Sequence, residues 1–291
     1  MAAAILVTGA STGIGRACAL HLAARGNTVY AGVRKQADAD SLTSEALGTL
    51  KPLTLDVTDE PSIRASVQTL TADLADHGLA GLVNNAGIAL GGPLEYLPIE
   101  TWRQQLEVNV IGQVAVTKAF MPLIRGGHGR VLFIGSIGGR VGTPMMGPYN
   151  ASKFALEGIA EAFREELRPW GLKVVLIAPG TIKTNIWDKG RDQSDDLEHR
   201  LGTEANERYG ALNKALRKLI DRQDRSGIAP KRVAKVIERA LFTANPRARY
   251  LVGPDAKAMG VLSRALPDRA KNSLLRRVSG LNVSPQEPRR N

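Results

Sequence analysis

The sequence predicts an α/β fold in which a doubly wound parallel sheet of seven strands carries helices on both faces. Strand-length apolar runs alternate with longer segments of helical period over the first 180 residues, and a glycine-rich turn follows the first run. No long Gly/Ser linker divides the chain. Because parallel strands need crossover connections, this alternation is typical of repeated βαβ units. The 291 residues suit a single domain of this kind.

Each predicted strand is a short apolar run, and each predicted helix is a longer segment with apolar residues three or four apart. The strands are Ala3–Thr8, Thr28–Val33, Thr49–Leu55, Gly81–Asn84, Arg130–Ser136, Leu172–Ala178 and Tyr250–Val252. The helices lie near Ile14–Ala24, Glu60–Asp76, Ile99–Ile124, Tyr149–Pro169 and Lys231–Thr243. The polar stretch 184–227 is too long for an ordinary connection and is predicted to be a substrate lid.

Composition excludes several classes of protein. With 43% hydrophobic and 23% charged residues, the chain is expected to bury a core rather than stay disordered. Its apolar runs are too short to span a bilayer, and its start lacks the build of a secretory signal, so we expect a cytoplasmic protein without a transmembrane segment. The lone Cys18 excludes a disulfide framework, and the four histidines are scattered, so no metal site is predicted.

The net charge of +11 is concentrated at the C-terminal end. Residues 246–291 contain ten basic and three acidic residues, a net +7. We divide the chain into a catalytic domain, 1–255, and a basic extension, 256–291, with a disordered end after Pro285. Because the excess lies outside the sheet and has no aromatic platform beside it, nucleic-acid binding is not expected. A solvated helix is the ordinary interpretation, and contact with an acidic lipid surface is the alternative.

The glycine-rich turn predicts a nucleotide site. The first strand ends in Thr8-Gly9-Ala10-Ser11-Thr12-Gly13-Ile14-Gly15, and a helix follows at once. Glycines at these positions allow a tight turn and close approach of a pyrophosphate, while the helix N-terminus offers unpaired N–H groups to the anion. The spacing is Gly-x-x-x-Gly-x-Gly, which differs from the commonest dinucleotide fingerprint.

The ends of the second and third strands predict which cofactor binds. The second strand runs into Arg34, where a carboxylate would accept from a ribose 2′-OH and a guanidinium would pair with a 2′-phosphate. Arg34 therefore favours NADP(H) over NAD(H). At the end of the third strand, Asp56 and Val57 are candidates for the adenine, although Asp56 could equally cap the helix that follows Thr58.

A serine, a tyrosine and a lysine predict the chemistry. Ser136 closes the fifth strand, and Tyr149 and Lys153 lie four residues apart, on one face of a helix. A phenol has an ordinary pKa near 10 and needs a nearby cation to exchange protons near neutrality. Lys153 supplies that cation. Ser136 can hold a substrate oxygen against the phenol while a hydride moves between cofactor and carbon.

These motifs together resemble the short-chain dehydrogenase/reductase family, over roughly residues 3–185. The resemblance implies a Rossmann-type sheet, with Tyr149 as general acid/base, Lys153 on the nicotinamide ribose and Ser136 on the substrate oxygen. It implies that Asn109 holds a water linking Lys153 to solvent. The further cofactor-binding positions that it implies are Asn85, Ala86, Gly87, Pro179, Gly180, Ile182 and Thr184. Family members commonly form homodimers or homotetramers, and we expect the same through Ile99–Ile124 and Tyr149–Pro169.

Within the family, the runs around Arg34, Ser136 and Tyr149 are most similar to the 17β-hydroxysteroid and retinol dehydrogenase branch. The predicted pocket wall is apolar, which suits a small hydrophobic alcohol or ketone. Its members are Ile137, Val141, Met145, Met146 and Trp187. We therefore predict an NADP(H)-dependent oxidoreductase acting on a steroid-, retinoid- or lipid-like substrate. A 3-oxoacyl thioester reductase, with a basic rim at Lys183, Lys189 and Arg191, and an NADP(H)-sensing protein without turnover are the alternatives.

Overall fold

A seven-stranded parallel sheet forms the centre of the molecule. The structure is a computed structural model that describes residues 2–75, 77–184, 203–219, 221 and 226–279. The strands are β1 (Ala4–Val7), β2 (Thr28–Val33), β3 (Leu50–Thr54), β4 (Gly81–Asn84), β5 (Arg130–Ile134), β6 (Lys173–Pro179) and β7 (Arg249–Val252). Their order across the sheet is β3-β2-β1-β4-β5-β6-β7, with every neighbouring pair parallel. The predicted fold class is confirmed.

Helices cover both faces of the sheet. They are α1 (Gly13–Ala24), α2 (Gln36–Glu45), α3 (Glu60–Leu74), α4 (Ile99–Leu106), α5 (Gly112–Gly126), α6 (Gly147–Leu167), α7 (residues 203–219), α8 (Pro230–Phe242), α9 (Pro254–Ala265) and α10 (Asp268–Ser279). One core lies under α1 and α8, where Leu22 and Ile237 are fully buried. The other lies under α3, α5 and α6, around Leu70, Phe120 and Leu156.

The structure differs from the predicted elements in three places. The segment predicted as one helix over Ile99–Ile124 is α4 and α5 joined by a π-helical turn, Glu107–Ile111. Helix α2 was not predicted, because only Ala39 and Leu42 of its ten residues are buried and it has almost no apolar periodicity. Ser136 lies two residues beyond the end of β5 and caps a short 3₁₀ turn, Ile137–Gly139.

The predicted C-terminal extension is helical in its described part, where α9 begins at Pro254, two residues before the predicted boundary, and α10 follows it. The predicted disordered end after Pro285 lies outside the described residues. Among the helices that the structure describes, none combines the length and the apolar character that crossing a bilayer requires.

Candidate active site

The predicted site residues gather at the carboxyl edge of the sheet. The strand order reverses between β1 and β4, and ligands of such sheets bind in the crevice at this point. The glycine turn follows β1, residues 85–87 follow β4, and Ser136 follows β5. These three segments therefore stand side by side, with the start of α6 beside them.

The glycine turn is closed tightly against the segment after β4. Gly9 has φ +62°, and a Cβ on it would lie 2.7 Å from the Ala86 Cα. The Thr8 hydroxyl accepts from the backbone N–H groups of Asn85 at 2.9 Å and Ala86 at 3.0 Å. The Asn85 amide donates back to the carbonyl oxygens of Thr8 at 2.9 Å and Gly9 at 3.0 Å. Asn85 and Ala86 thus fix the shape of the turn, and Thr8 is a partner that the sequence analysis missed.

The geometry of this turn fits a dinucleotide. Gly13 has φ +58°, and a Cβ on it would lie 3.2 Å from the Thr184 methyl group, so the turn reaches the segment after β6. Thr12 is the N-cap of α1 but makes no side-chain cap, and the first turn of α1 has no acidic residue. The first N–H groups of this helix are therefore open to an anion such as a pyrophosphate.

We expect Gly9→Ala to destabilise the fold. The new methyl group would require positive φ and would overlap the Ala86 backbone, which together cost about 2 kcal/mol or more. Urea unfolding measures this loss. Gly158→Ala, within α6, is the matched control, because no atom lies within 4 Å of the place that its new methyl group would take. The control is expected to be neutral or stabilising by up to about 1 kcal/mol, and equal losses in both variants would contradict the close packing.

Arg34 and Asp56 lie side by side at the ends of β2 and β3. The Arg34 guanidinium is 3.7 Å from the Asp56 carboxylate, and 69% of the Arg34 side chain is exposed. Asp56 accepts from the backbone N–H of Thr58 at 2.9 Å, and the N-cap of α3 is Asp59 instead. Burial raises the pKa of Asp56, but the Thr58 hydrogen bonds and the Arg34 charge outweigh it and hold the pKa below its usual range. The Arg34 guanidinium is therefore close to Asp56 and still exposes most of its surface to a ligand.

The segment after β6 is hydrogen-bonded to β7 and to the start of α9. The Gly180 N–H donates to the Val252 carbonyl oxygen at 2.9 Å, and the Thr181 N–H donates to Asp255 at 2.6 Å. Ile182 is 5% exposed and belongs to the core, so packing accounts for its side chain. Asp255 was not singled out from the sequence, because it is 74 residues from its partner and no local pattern marks the contact.

Ser136, Tyr149 and Lys153 come together as predicted. A hydrogen bond joins the Ser136 and Tyr149 side chains, and the Lys153 Nζ lies 5.7 Å from the centroid of the Tyr149 ring. The Lys153 ammonium donates to the Ile134 carbonyl oxygen at 2.9 Å. Burial raises the pKa of Tyr149, and the Ser136 hydrogen bond offsets part of that rise. The arrangement can pass a proton from a phenol to an oxygen held by a hydroxyl.

Burial lowers the pKa of Lys153 to about 8, so its ammonium carries a desolvation cost near neutrality. Between pH about 8 and 10.5 the unfolded chain holds more protons at this residue, so the free energy of unfolding rises with pH there. We expect wild type to gain about 3 kcal/mol relative to Lys153→Met across this interval. Urea unfolding of wild type and Lys153→Met, each at pH about 8 and at pH about 10.5, tests this expectation. A difference that does not change with pH would contradict a charged, desolvated Lys153.

Asn109 lies in the π-helical turn and is fully buried. It accepts from the Ile88 N–H at 2.8 Å and donates to the Ile88 carbonyl oxygen and to the Ser152 hydroxyl, both at 3.0 Å. Ser152 in turn donates to the Tyr149 carbonyl oxygen at 2.7 Å. Asn109 therefore connects the β4 segment to the helix that carries Tyr149 and Lys153. Ser152 is a link that the sequence analysis missed.

The loop that carries Ser136 is fastened to the start of α6 by Asn150. The Asn150 side-chain amide donates to the Gly138 carbonyl oxygen at 2.9 Å and accepts from the Thr143 N–H at 2.9 Å. Asn150 therefore fixes Ser136 relative to its neighbour Tyr149. No sequence pattern marks Asn150 as part of the site.

The wall of the site is apolar where it is described. Met146 packs on Ala89 and Tyr149, and Met145 packs on Leu216 of α7. Val141 is 8% exposed and Ile137 is half-buried on the 3₁₀ turn, while Trp187 lies outside the described residues. The side chains of α7 that join Met145 share one helical stripe, a spacing that could have identified them: Tyr209, Leu212, Leu216 and Leu219.

Two reciprocal hydrogen bonds hold α7 over this wall. The Tyr209 hydroxyl donates to Glu95 at 2.7 Å, and the Tyr96 hydroxyl donates to Glu204 at 3.2 Å. The two tyrosine rings also meet edge to face, with centroids 5.9 Å apart. In its described part, the segment predicted as a lid thus contacts the loop after β4.

Comparisons with known proteins identify the family of the chain. A family model described as short chain dehydrogenase matches residues 3–195, which include the glycine turn, Ser136, Tyr149 and Lys153. An NADPH-dependent 3-dehydrocapnine reductase of Ornithobacterium rhinotracheale is 36% identical over 269 residues, covering 91% of this chain and 93% of the relative. A 3-ketodihydrosphingosine reductase of Bacteroides thetaiotaomicron is 35% identical over 274 residues, covering 94% and 96%.

A third relative bears on the branch of the family. The estradiol 17-beta-dehydrogenase 2 of Mus musculus is 37% identical over 263 residues, covering 86% of this chain and 68% of the relative. The predicted similarity to hydroxysteroid dehydrogenases is therefore confirmed. Because a family model matches two thirds of its length and relatives 35–36% identical match more than nine tenths of it, the chain belongs to the short-chain dehydrogenase/reductase family and is an NAD(P)-dependent oxidoreductase.

Proposed function

We propose that the protein reduces the carbonyl group of a hydrophobic, lipid-like ketone with NADPH. The proposal rests on one observation: the half-buried Ser136 is hydrogen-bonded to the buried Tyr149, and the buried Lys153 ammonium lies 5.7 Å from the Tyr149 ring. This group stands beside the glycine turn and under an apolar wall of methionines. An NADP(H)-sensing protein without turnover would need no such proton donor.

Each residue of the site has a separate role in the proposed reduction. NADPH, when bound, supplies the hydride that reaches the carbonyl carbon. Ser136 donates a hydrogen bond to the carbonyl oxygen, and Tyr149 gives its phenolic proton to the same oxygen, so a hydroxyl group forms. The Lys153 ammonium stabilises the phenolate left behind. Asn109, bonded to Ile88 and Ser152, positions the helix that carries Tyr149 and Lys153; the water that the family resemblance implies at this turn would link Lys153 to solvent.

Two further groups of residues are proposed to hold the cofactor. The turn residues Ser11, Thr12 and Ile14, with Gly9, Gly13 and Gly15, would enclose the pyrophosphate, and Arg34 would pair with the 2′-phosphate. Asp56 and Val57 would face the adenine, and Asn85, Ala86 and Gly87 would contact the adenosine side. After Pro179 and Gly180, Ile182 and Thr184 would contact the carboxamide and the phosphates. The name of the Ornithobacterium relative, which includes NADPH, supports the preference for NADP(H).

The coverage of the relatives favours a lipid-like substrate over steroids and retinoids. The chain matches 93% and 96% of two reductases of 3-dehydro and 3-keto compounds, but 68% of the estradiol dehydrogenase. Two relatives at 36% and 35% identity are named for the reduction of a 3-dehydro and a 3-keto compound. Dihydrosphingosine is a long-chain amino alcohol, and its 3-keto form is a hydrophobic ketone that an apolar wall suits. The alternative, a 3-oxoacyl thioester, would use a basic rim, of which Lys183 is exposed and Lys189 and Arg191 lie outside the described residues.

Rates of NADPH oxidation with a series of ketones test the proposed substrate class. We expect kcat/KM to rise about fourfold with each methylene that the pocket buries, because burial of one such group is worth about 0.8 kcal/mol. We expect the highest kcat/KM for a long-chain 3-keto lipid, above the values for a steroid ketone, a retinal and a 3-oxoacyl thioester. Turnover of the thioester alone would select the alternative, and a rate independent of chain length would contradict an apolar pocket.

We also propose a homodimer or homotetramer, as the family resemblance implies. Large apolar side chains are exposed on the helices expected to meet a second copy. Ile99 on α4, Ile111 on the π-helical turn and Phe154 on α6 are 56%, 54% and 47% exposed. Covering them with a second copy would remove this apolar surface from water.

A further inference from the structure

Helix α9 has an apolar stripe on its solvent-exposed face. Its inner face is fixed on the sheet, since Ala256 is fully buried and a Cβ on Gly260 would lie 2.3 Å from the Leu251 Cδ1. With 3.6 residues per turn, the opposite face has three exposed apolar side chains, Ala258, Val261 and Ala265. Val261, at the centre of this stripe, is 66% exposed.

Exposed cations border the stripe and continue along α10. Lys257 and Arg264 are seven residues apart and so lie along one side of α9. The nearby acids have their own partners: Asp255 accepts from the Thr181 N–H, and Asp268 accepts from Lys271 at 2.6 Å. We define the α9–α10 basic face by its exposed members Lys257, Val261, Arg264, Arg269, Arg276 and Arg277.

We propose that the α9–α10 basic face seats the protein on an anionic lipid surface. An apolar stripe bordered by cations is the pattern of helices that lie in a membrane interface, with the apolar part inserted and the cations at the head groups. Each cation near such a surface adds to the attraction. A nucleic acid would match the cations but would gain nothing from Val261, because phosphates bind charge and bases need aromatic platforms.

Co-sedimentation of the full chain with lipid vesicles tests the proposal without any substrate. We expect binding to phosphatidylcholine vesicles that contain phosphatidylglycerol and little binding to phosphatidylcholine alone. Lys257→Gln with Arg264→Gln should weaken partitioning about thirtyfold, since each cation at the surface contributes about fivefold. The matched control is Lys118→Gln with Lys235→Gln, two exposed cations on α5 and α8, and it should bind nearly as wild type.

A second pair of variants separates insertion from charge alone, because it changes polarity and leaves the net charge unaltered. Val261→Asn should weaken binding to the anionic vesicles, whereas Leu47→Asn, at an 87% exposed position before β3, should not. The proposal is overturned if anionic vesicles do not bind the protein, or if the control pair loses as much as the α9 pair. It is equally overturned if Val261→Asn binds as wild type, or if a short DNA duplex displaces the protein from the vesicles.

Discussion

Tyr149→Phe is expected to lower the rate of carbonyl reduction by about a hundred- to ten-thousandfold, because a positioned general acid contributes that much. Phenylalanine keeps the ring that packs on Met146 and removes only the hydroxyl group that is hydrogen-bonded to Ser136. The fold and the affinity for NADPH should therefore change little. Single-turnover rates of NADPH oxidation, measured beside NADPH binding, separate loss of chemistry from loss of binding.

Tyr250→Phe is the matched control for this variant. Its hydroxyl accepts from the Arg247 N–H at 3.1 Å, on β7 and away from Ser136. We expect its rate to stay close to that of wild type. If Tyr149→Phe retained most of its activity, another group would have to deliver the proton, and the assignment of Tyr149 would be wrong.

Arg34→Asp is expected to reverse the cofactor preference. Losing a charge-assisted bond to the 2′-phosphate costs about 1.5–3 kcal/mol, which corresponds to about a ten- to hundredfold weaker Kd for NADPH. The new carboxylate can accept from the 2′-OH of NADH, which improves NADH binding. Titration of the variant with both nucleotides, followed by nicotinamide fluorescence, gives the two constants.

Two other variants define what Arg34 does. Arg34→Ala removes the cation without adding an acceptor, so it should lose affinity for NADPH and gain none for NADH. Arg103→Asp makes the same change of charge at a similarly exposed position on α4, 71% against 69%, and should leave both constants near wild type. An unaltered ratio of NADPH to NADH affinity in Arg34→Asp would contradict the contact.

The strands and the glycine turn could be predicted from the sequence because the residues that form them are neighbours in the chain. Strands buried on both faces of a parallel sheet have nearly continuous apolar sequences, as β5 and β6 do. The turn needs glycine where φ is positive, and Gly9 and Gly13 supply it. Tyr149 and Lys153 could be placed on one helix face from their spacing alone.

The remaining features depend on contacts between distant parts of the chain. The π-helical turn around Asn109 shifts one turn of backbone hydrogen bonding, and its residues look like any helical segment. The links from Asn109 to Ser152 and from Thr181 to Asp255 span 43 and 74 residues. The packing of α7 on Met145 is likewise tertiary, so the helical stripe could be found in the sequence but not the wall that it meets.

The proposed preference for NADPH over NADH at the turn after β1 can be measured directly. Titration of the purified protein with each nucleotide, followed by fluorescence and thermal unfolding, tests it directly, because a ligand that binds only the folded state raises its stability. We expect both nucleotides to raise Tm, with NADPH acting at a lower concentration. Binding of neither would contradict the account of the site, and tighter binding of NADH would contradict the role given to Arg34.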